Sequence, residues 1–183
     1  MELSESSILV ISDSHGSIPT LIAALEWAKN SGITEAVFLG DGIDDLALAS
    51  ARTGFTLPWH TVRGNGDYQF TIPGSMVLAL PCGRKLFLSH GHYYNIWRDY
   101  TSIVANARNA GAEAALFGHT HIPYSGTVDG IFLLNPGSIG RPRSDTGCTF
   151  AVLHCPDSNS DHPELSARFF SLAKQDNKHI VTQ

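Results

Sequence analysis

Five short apolar segments of this chain each end in a side chain that can bind a metal ion. Short apolar runs bounded by turn residues are typical of buried strands. The side chains that follow these runs are two carboxylates, an amide and two imidazoles, namely Asp13, Asp41, Asn65, His90 and His119. In open α/β sheets, ligands bind beyond the carboxyl ends of the strands, where residues distant in sequence meet. The pattern therefore predicts an α/β fold with a ligand site at the strand ends.

The remaining pattern predicts helices between these strands and further strands after them. A helix is expected from about Pro19 to Gly32, a shorter one at 44–51, and a third at 95–110 with Trp97 on its core-facing side. Strands are expected at 8–12, 36–39, 59–62, 76–80, 85–89, 114–117, 124–128, 131–134, 148–154 and 165–172. Hairpins should join the fourth of these to the fifth and the seventh to the eighth.

This order of elements predicts one α/β domain over residues 1–183, with a mixed sheet or two packed sheets. Its core should span about 7–173, followed by a polar tail that is frayed beyond Lys174. With 43% hydrophobic and 16% charged residues, the chain has a globular rather than a disordered composition.

Net charge, apolar runs, the N-terminal segment and the cysteines restrict the partners and the compartment that are expected for this chain. The net charge of −5 argues against binding of long nucleic acids, and no apolar run approaches the roughly 20 residues of a membrane span. The acidic N-terminal segment lacks the pattern of a signal peptide. Three cysteines without a Cys-x-x-Cys pair favour a reducing environment, so a cytoplasmic protein is expected.

Two further histidines enlarge the set of candidate ligands. His15 follows Asp13, and His121 follows His119, at a spacing that places both side chains of a pair on one side of an extended backbone. Two Asp, one Asn and four His without sulfur suit Mn²⁺, Fe, Co²⁺, Ni²⁺ or Zn²⁺ at a catalytic site. Seven ligands exceed the needs of one tetrahedral ion and fit two ions that share a carboxylate. Paired ions about 3.5–4 Å apart are a recurrent device for displacement at phosphorus.

The motifs occur in the order Asp-x-His, Gly-Asp, Gly-Asn, His and Gly-His-x-His. Taken singly, each could be a turn, a helix cap or a structural histidine. Together they resemble the calcineurin-like metallophosphoesterases, particularly their small prokaryotic phosphodiesterase branch. The resemblance extends from Asp13 to about Ser138 and implies a four-layer α/β/β/α sandwich with two mixed sheets. It implies that one ion is held by Asp13, His15 and His121, the other by Asn65, His90 and His119, with Asp41 as the bridge.

The same resemblance implies a phosphodiesterase reaction, in which a hydroxide that bridges two divalent ions attacks phosphorus in line. Mn²⁺ is the ion expected first, and Asp41, Asn65 and His119 are the expected catalytic residues. The segment 135–138 resembles a loop that closes one side of the site in this branch.

One position departs from many relatives. A His often follows the Gly-Asn pair and can protonate the leaving group, whereas this chain has Gly66 there. General acids typically contribute about 10²–10⁴-fold to a rate. We therefore expect faster hydrolysis of esters with acidic leaving groups, unless Asp67 or His92 is the acid.

Two other interpretations of the motifs stay open. The chain could be a non-catalytic metal-binding scaffold, because a eukaryotic retromer subunit of similar fold works chiefly as a binding module. It could also be a nuclease or a phosphomonoesterase. The expected partner is a small phosphate ester rather than a membrane. The substrate, the native metal, a homo-oligomeric state and the roles of His92, Arg141 and Arg143 stay open.

Overall fold

A computed structural model describes residues 6–156, 164–172 and 180–182. Its first half alternates strands and helices, in the order β1 (Ser6–Ile11), α1 (Ile18–Ala28), β2 (Glu35–Phe38), α2 (Ile43–Thr53), β3 (Trp59–Thr61), β4 (Ser75–Ala79) and β5 (Lys85–Ser89). After a 3₁₀ turn at His92–Tyr94 follow α3 (Thr101–Asn109), β6 (Ala114–Leu116), β7 (Pro123–Val128), β8 (Ile131–Pro136), β9 (Thr149–Cys155), β10 (Ser166–Leu172) and β11 (Ile180–Thr182). In the described part of the chain, no helix combines the length and the apolar character that a membrane crossing requires.

The strands form two mixed sheets. The first has the order β11-β10-β9-β1-β2-β3, with β1, β2 and β3 parallel and the other strands antiparallel to their neighbours. The second has the order β4-β5-β6-β8-β7, with β5, β6 and β8 parallel and an antiparallel strand at each edge. Parallel strands share one direction, so their carboxyl ends lie along one edge of each sheet. The prediction of an α/β protein with two mixed sheets is confirmed.

The alternation of apolar side chains along β1 sorts the core into layers. Ile8 and Val10 are fully buried between the two sheets, where they pack in one core with Leu88 of β5. Leu9 and Ile11 point to the other face, into a core that the first sheet forms with α1 and α2. A third core joins the outer face of the second sheet to α3. The layers therefore run helix, sheet, sheet, helix, which confirms the four-layer sandwich.

Both predicted hairpins are present. β4 pairs antiparallel with β5, and β7 pairs antiparallel with β8. The turn between β7 and β8 places Asp129 at a φ of 48° and Gly130 at 79°. Positive φ at both central residues is the requirement of a type I′ turn, whose twist matches that of the flanking strands.

The third helix begins later than predicted, at Thr101 rather than Asn95. Asn95 has a φ of 52°, which lies in the left-handed region and cannot continue a right-handed helix. Asp99 Oδ1 then accepts a hydrogen bond from the backbone N–H of Thr101 at 2.9 Å, at the start of the helix. Trp97 therefore lies in a loop, and its 51% exposure corrects its assignment to the core.

The predicted frayed tail is only partly within the described residues. Residues 173–179 and 183 lie outside them. Ile180–Thr182 form β11, which pairs antiparallel with β10 at the edge of the first sheet. This short segment of the tail is thus ordered by backbone pairing, which a polar composition does not exclude.

Candidate metal centre

Both sheets contribute side chains to one site at their carboxyl edges. Asp13 and Asp41 follow β1 and β2 of the first sheet, whereas His90 and His119 follow β5 and β6 of the second. Backbone hydrogen bonds hold the loops in pairs, because Asp13 N donates to the carbonyl of Gly40 at 3.0 Å and Gly118 N donates to that of His90 at 3.0 Å. The parallel strands therefore bring distant residues together, as the sequence pattern indicated.

A first cluster of candidate ligands contains Asp13, His15 and His121. His121 Nε2 lies 3.1 Å from Asp13 Oδ1 and 3.2 Å from His15 Nε2, and His15 Nε2 lies 3.6 Å from Asp13 Oδ1. Ligands bonded to one ion at about 2.0–2.2 Å lie about 3–3.6 Å from one another. The three atoms therefore have the spacing of ligands around a single cation.

A second cluster contains Asp13, Asp41 and His90. His90 Nε2 lies 3.5 Å from Asp41 Oδ2 and 3.9 Å from Asp13 Oδ1. Asp41 Oδ2 also lies 3.6 Å from His15 Nε2 in the first cluster. The two clusters are therefore contiguous, with carboxylates between them.

Backbone carbonyls orient two of the imidazoles. His90 Nδ1 donates to the carbonyl of Leu39 at 2.7 Å, and His121 Nδ1 donates to that of Arg141 at 2.6 Å. A neutral imidazole that donates through Nδ1 presents its lone pair at Nε2. Such a bond to the second ring nitrogen is typical of metal-ligating histidines, because it fixes the tautomer and the ring orientation.

The carboxylates are held in the same way, each by one oxygen. Asp13 Oδ2 accepts hydrogen bonds from Ser12 Oγ at 2.5 Å and from the backbone N–H of His119 at 3.0 Å. Asp41 Oδ1 accepts one from the backbone N–H of Gly66 at 2.6 Å. The second oxygen of each carboxylate is the one that points to the imidazoles.

Electrostatic coupling within the first cluster favours charged forms. Burial of Asp13 acts to raise the pKa of its carboxyl, but the imidazoles of His121 and His15 outweigh burial and hold that pKa well below its usual range. Burial acts to lower the pKa of His121, yet its contact with the Asp13 carboxylate raises it above the usual value. The carboxylate therefore stays ionised and attracts positive charge to this point.

Two buried atoms without hydrogen-bond partners indicate that these residues fit a cation. Asp13 and His90 are fully buried, and neither Asp13 Oδ1 nor His90 Nε2 makes a hydrogen bond. Leaving a buried polar atom unsatisfied costs about 1–3 kcal/mol, and more for a charged group. Both atoms are metal-ligating types and face each other across the second cluster. The residues therefore fit divalent cations, which would satisfy both atoms.

The backbone of the site is strained. Among the described residues, seven other than glycine have positive φ, and five of these are predicted ligands: Asp13, His15, Asp41, His119 and His121. Such conformations cost about 1–3 kcal/mol each and cluster at functional sites. The extended backbone expected for the Asp-x-His and His-x-His pairs is therefore wrong, although both members of the first pair do meet in one cluster. Left-handed turns, rather than the alternation of side chains along a strand, direct these side chains toward the site.

His119 and Asn65 lie beside the clusters rather than within them. The His119 ring centre is 5.1 Å from that of His90, and burial together with His90 lowers the pKa of the half-buried His119. Asn65 is exposed. Both residues line a cavity of about 450 Å³ whose other walls include His15, Asp41, His121, Trp97, Arg141, Pro142 and Arg143. The cavity, which we call the site cavity, places five of the seven predicted ligands around one space.

The loop at 135–138 braces one side of the site, where the resemblance placed it. Asn135 Nδ2 donates to the carbonyl of Gly118 at 2.8 Å and to Thr120 Oγ1 at 2.9 Å. Ser138 Oγ donates to the carbonyl of Asp13 at 2.7 Å. The loop therefore ties the segment after β6 and the segment after β1 to β8.

Asp67 has a structural role in the site, which the sequence analysis did not predict when it considered this residue as an acid. Its carboxylate accepts hydrogen bonds from four backbone N–H groups, those of Asp41, Gly42, Ile43 and Gly64, at 2.7–3.0 Å. It thus joins the Asp41 loop to the Asn65 loop. With both oxygens engaged by backbone donors, Asp67 is not placed to protonate a leaving group, which removes one of the two alternative acids.

Asp45 has a similar structural role for the loop after β1. Its Oδ2 accepts hydrogen bonds from Ser14 Oγ and from the backbone N–H of Gly16, both at 2.7 Å.

The second alternative acid, His92, lies with its ring centre 5.4 Å from that of His90. Burial and the neighbouring His90 lower the pKa of His92 to about 4.

The four-layer fold and the two clusters of candidate metal ligands agree with the result of a comparison with known proteins. Residues 7–158 match the calcineurin-like phosphoesterase superfamily domain. The chain belongs to this superfamily, which confirms the resemblance.

Individual relatives cover most of the chain. It is 28% identical over 167 residues to the probable metallophosphoesterase YsnB of Bacillus subtilis, covering 91% of this chain and 92% of that protein. It is also 28% identical over 167 residues to the phosphodiesterase YfcE of Escherichia coli, covering 80% of this chain and 86% of the relative. Among solved structures, Vps29 of Entamoeba histolytica in complex with zinc has a TM-score of 0.76 at 23% identity, covering 97% of each chain. At that identity, the likeness to Vps29 establishes the fold alone.

Proposed function

We propose that this chain is a phosphodiesterase that uses two divalent metal ions to hydrolyse small phosphate esters. The observation that carries the proposal is the pair of buried, unsatisfied atoms Asp13 Oδ1 and His90 Nε2 at the contact of two ligand clusters. A single tetrahedral ion would take four of the seven candidate ligands and leave three unused. The name of the relative YfcE supports a phosphodiester rather than another ester.

The ligands divide into two sets, as in the sequence-based prediction. Asp13, His15 and His121 would hold one ion, and His90, His119 and Asn65 would hold the other. Asp41 would bridge them, which is supported by the distances of its Oδ2 to one imidazole of each set, 3.6 Å to His15 Nε2 and 3.5 Å to His90 Nε2. Mn²⁺ is the ion to test first, because oxygen and imidazole ligands without sulfur suit it.

When bound, paired divalent ions supply an activated water as nucleophile and neutralise the phosphoryl oxygens. The protein contributes position and charge. Asn65 and His119 line the site cavity, where they would contact a phosphoryl oxygen, and Arg141 and Arg143 add two cations at its wall. A net charge of −5 argues against binding of long nucleic acids, which supports small esters as substrates.

Neither position 66 nor position 67 supplies a general acid. Gly66 has no side chain to donate a proton, and the Asp67 carboxylate is engaged by four backbone N–H groups. Burial and the neighbouring His90 lower the pKa of the remaining candidate, His92, to about 4, so its imidazole is neutral at pH 7. The leaving group therefore departs as an anion, and acidic leaving groups react fastest.

The described cysteines, Cys82, Cys148 and Cys155, are free thiols, consistent with a reducing cytoplasm as the compartment.

Metal analysis of the purified protein, paired with hydrolysis of bis(p-nitrophenyl) phosphate with and without Mn²⁺, tests the proposal. We expect about two ions per chain and hydrolysis that EDTA abolishes. Bound metal without hydrolysis of phosphodiesters or monoesters would favour the scaffold. Hydrolysis of p-nitrophenyl phosphate alone would favour a phosphomonoesterase.

A further inference from the structure

Trp97 is half-exposed and is one of the residues that line the site cavity. Its side chain is 51% exposed and lines the cavity together with His119, whose ring centre lies 6.2 Å away. Tryptophan has a large apolar surface and a π face on which other rings stack. An indole that is half-exposed at a cavity wall, instead of buried in the core, is available for contact with a bound molecule.

Arg143 covers part of the same indole. Its guanidinium carbon lies 5.2 Å from the ring centre of Trp97, within the range of a cation–π contact. The backbone N–H of Arg143 donates to the carbonyl of His121 at 3.2 Å, so this loop is joined directly to a candidate metal ligand. An aromatic surface and a positive charge thus lie side by side at the cavity wall.

We propose that Trp97 and Arg143 form a subsite for a planar aromatic group attached to the phosphate of the substrate, such as an aryl ring or a nucleobase. The inference rests on the proposed function, because the phosphate itself is placed at the metal centre. The exposed indole stacks with the aromatic ring. Arg143 steadies the indole and attracts the anionic ester. The volume of about 450 Å³ lies within the range of about 300–1,000 Å³ found for small-molecule sites.

A second pair of an arginine and an exposed aromatic residue provides a matched control. The guanidinium of Arg63 lies 4.7 Å from the ring centre of Phe70, and Phe70 is 78% exposed. Phe70 is not among the residues that line the site cavity. Phe70→Ala therefore removes an exposed aromatic side chain of the same kind without removing the subsite.

Binding of two matched pairs of ligands to the Mn²⁺-loaded protein tests the subsite. Adenosine 5′-monophosphate and ribose 5-phosphate differ in the base, and phenylphosphonate and methylphosphonate differ in the ring. Equilibrium dialysis gives the dissociation constants, and the part of the tryptophan fluorescence change that is lost in Trp97→Phe reports contact with Trp97. Stacking of one base on an aromatic side chain corresponds to about 5–150-fold in affinity. We expect Trp97→Ala to weaken the aromatic member of at least one pair about tenfold and to leave its partner unchanged.

Trp97→Phe should retain most of the affinity, and Phe70→Ala should behave as the wild type. A response of the adenosine pair alone identifies a ring at the distance of a nucleobase, whereas a response of the phenyl pair identifies an aryl group close to phosphorus. Equal weakening of both members of each pair, or no weakening at all, would contradict the subsite while leaving the proposed function intact. If none of the four ligands binds and no phosphodiester is hydrolysed, the proposed function itself fails.

Discussion

His121 Nε2 lies 3.1 Å from Asp13 Oδ1, while Nδ1 of the same ring donates to the carbonyl of Arg141 at 2.6 Å. In the neutral tautomer, a lone pair on Nε2 therefore faces a carboxylate oxygen, which is also an acceptor. The contact becomes favourable when a proton resides on Nε2 or when a cation lies between the two atoms. The raised pKa of His121 reflects the first solution, and the third acceptor, His15 Nε2 at 3.2 Å, favours the second.

Divalent metal should therefore raise the melting temperature of the protein. At a free Mn²⁺ concentration of 100 times the Kd, binding to the folded state alone adds about 2.7 kcal/mol, or about 5–11 °C for a chain of this size. Differential scanning fluorimetry with Mn²⁺, and again after EDTA, measures the shift. Asp13→Asn should lose most of it. A shift of full size in that variant would contradict the role of the Asp13 carboxylate.

Asp41→Asn should weaken the binding of both ions, because Asp41 Oδ2 lies between an imidazole of each set. We expect metal affinity to fall by more than the about 10–100-fold that is typical for loss of an outer hydrogen-bond partner. Isothermal titration calorimetry with Mn²⁺ measures the affinity and the number of sites. Asp44→Asn is the control, because the exposed Asp44 accepts a bond from Gln69 instead. Two undiminished sites in Asp41→Asn would refute the bridge.

The rate of hydrolysis should depend steeply on the leaving group. Without an acid at position 66, the departing oxygen carries its full negative charge. The rate should therefore fall as the pKa of the leaving group rises. Rates on a series of methyl aryl phosphates, extended to one dialkyl phosphate, measure the slope. We expect the rate for the dialkyl ester to lie on or below the line that relates rate to leaving-group pKa among the aryl esters. Equal rates on aryl and alkyl esters would identify another acid, with His92 as the next residue to replace.

Asp67→Asn should destabilise the protein, because an amide offers one acceptor oxygen to four backbone N–H groups and turns two donors toward the rest. Loss of hydrogen bonds to a charged group, with donors left unsatisfied, predicts a free energy of unfolding lower by about 3 kcal/mol. Urea denaturation measures the change. Asp145→Asn, at an exposed position, should differ little from the wild type. A stable Asp67→Asn variant would mean that water replaces the carboxylate.

Several features were predictable because they follow from local apolar runs. The strands that precede Asp13, Asp41, His90 and His119 are short and apolar, and their burial between layers confirms their assignment. The gathering of these side chains followed from the rule that ligands bind at the carboxyl ends of parallel strands.

Other features depend on tertiary contacts that a single sequence does not reveal. The left-handed conformation of Asn95 delays α3, and it leaves Trp97 in a loop at the cavity wall instead of in the core. The four bonds to Asp67 come from residues on two separate loops, so its role becomes visible only when those loops meet. Positive φ at His119 and His121 could be suspected only from the neighbouring glycine and turn residues.

Anomalous diffraction from crystals of the Mn²⁺-loaded protein, measured at the manganese absorption edge, tests the central claim most directly. We expect two peaks, one bonded to Asp13, His15 and His121, the other to His90, His119 and Asn65, with Asp41 bonded to both. A single peak, or peaks away from these side chains, would contradict the paired-ion site.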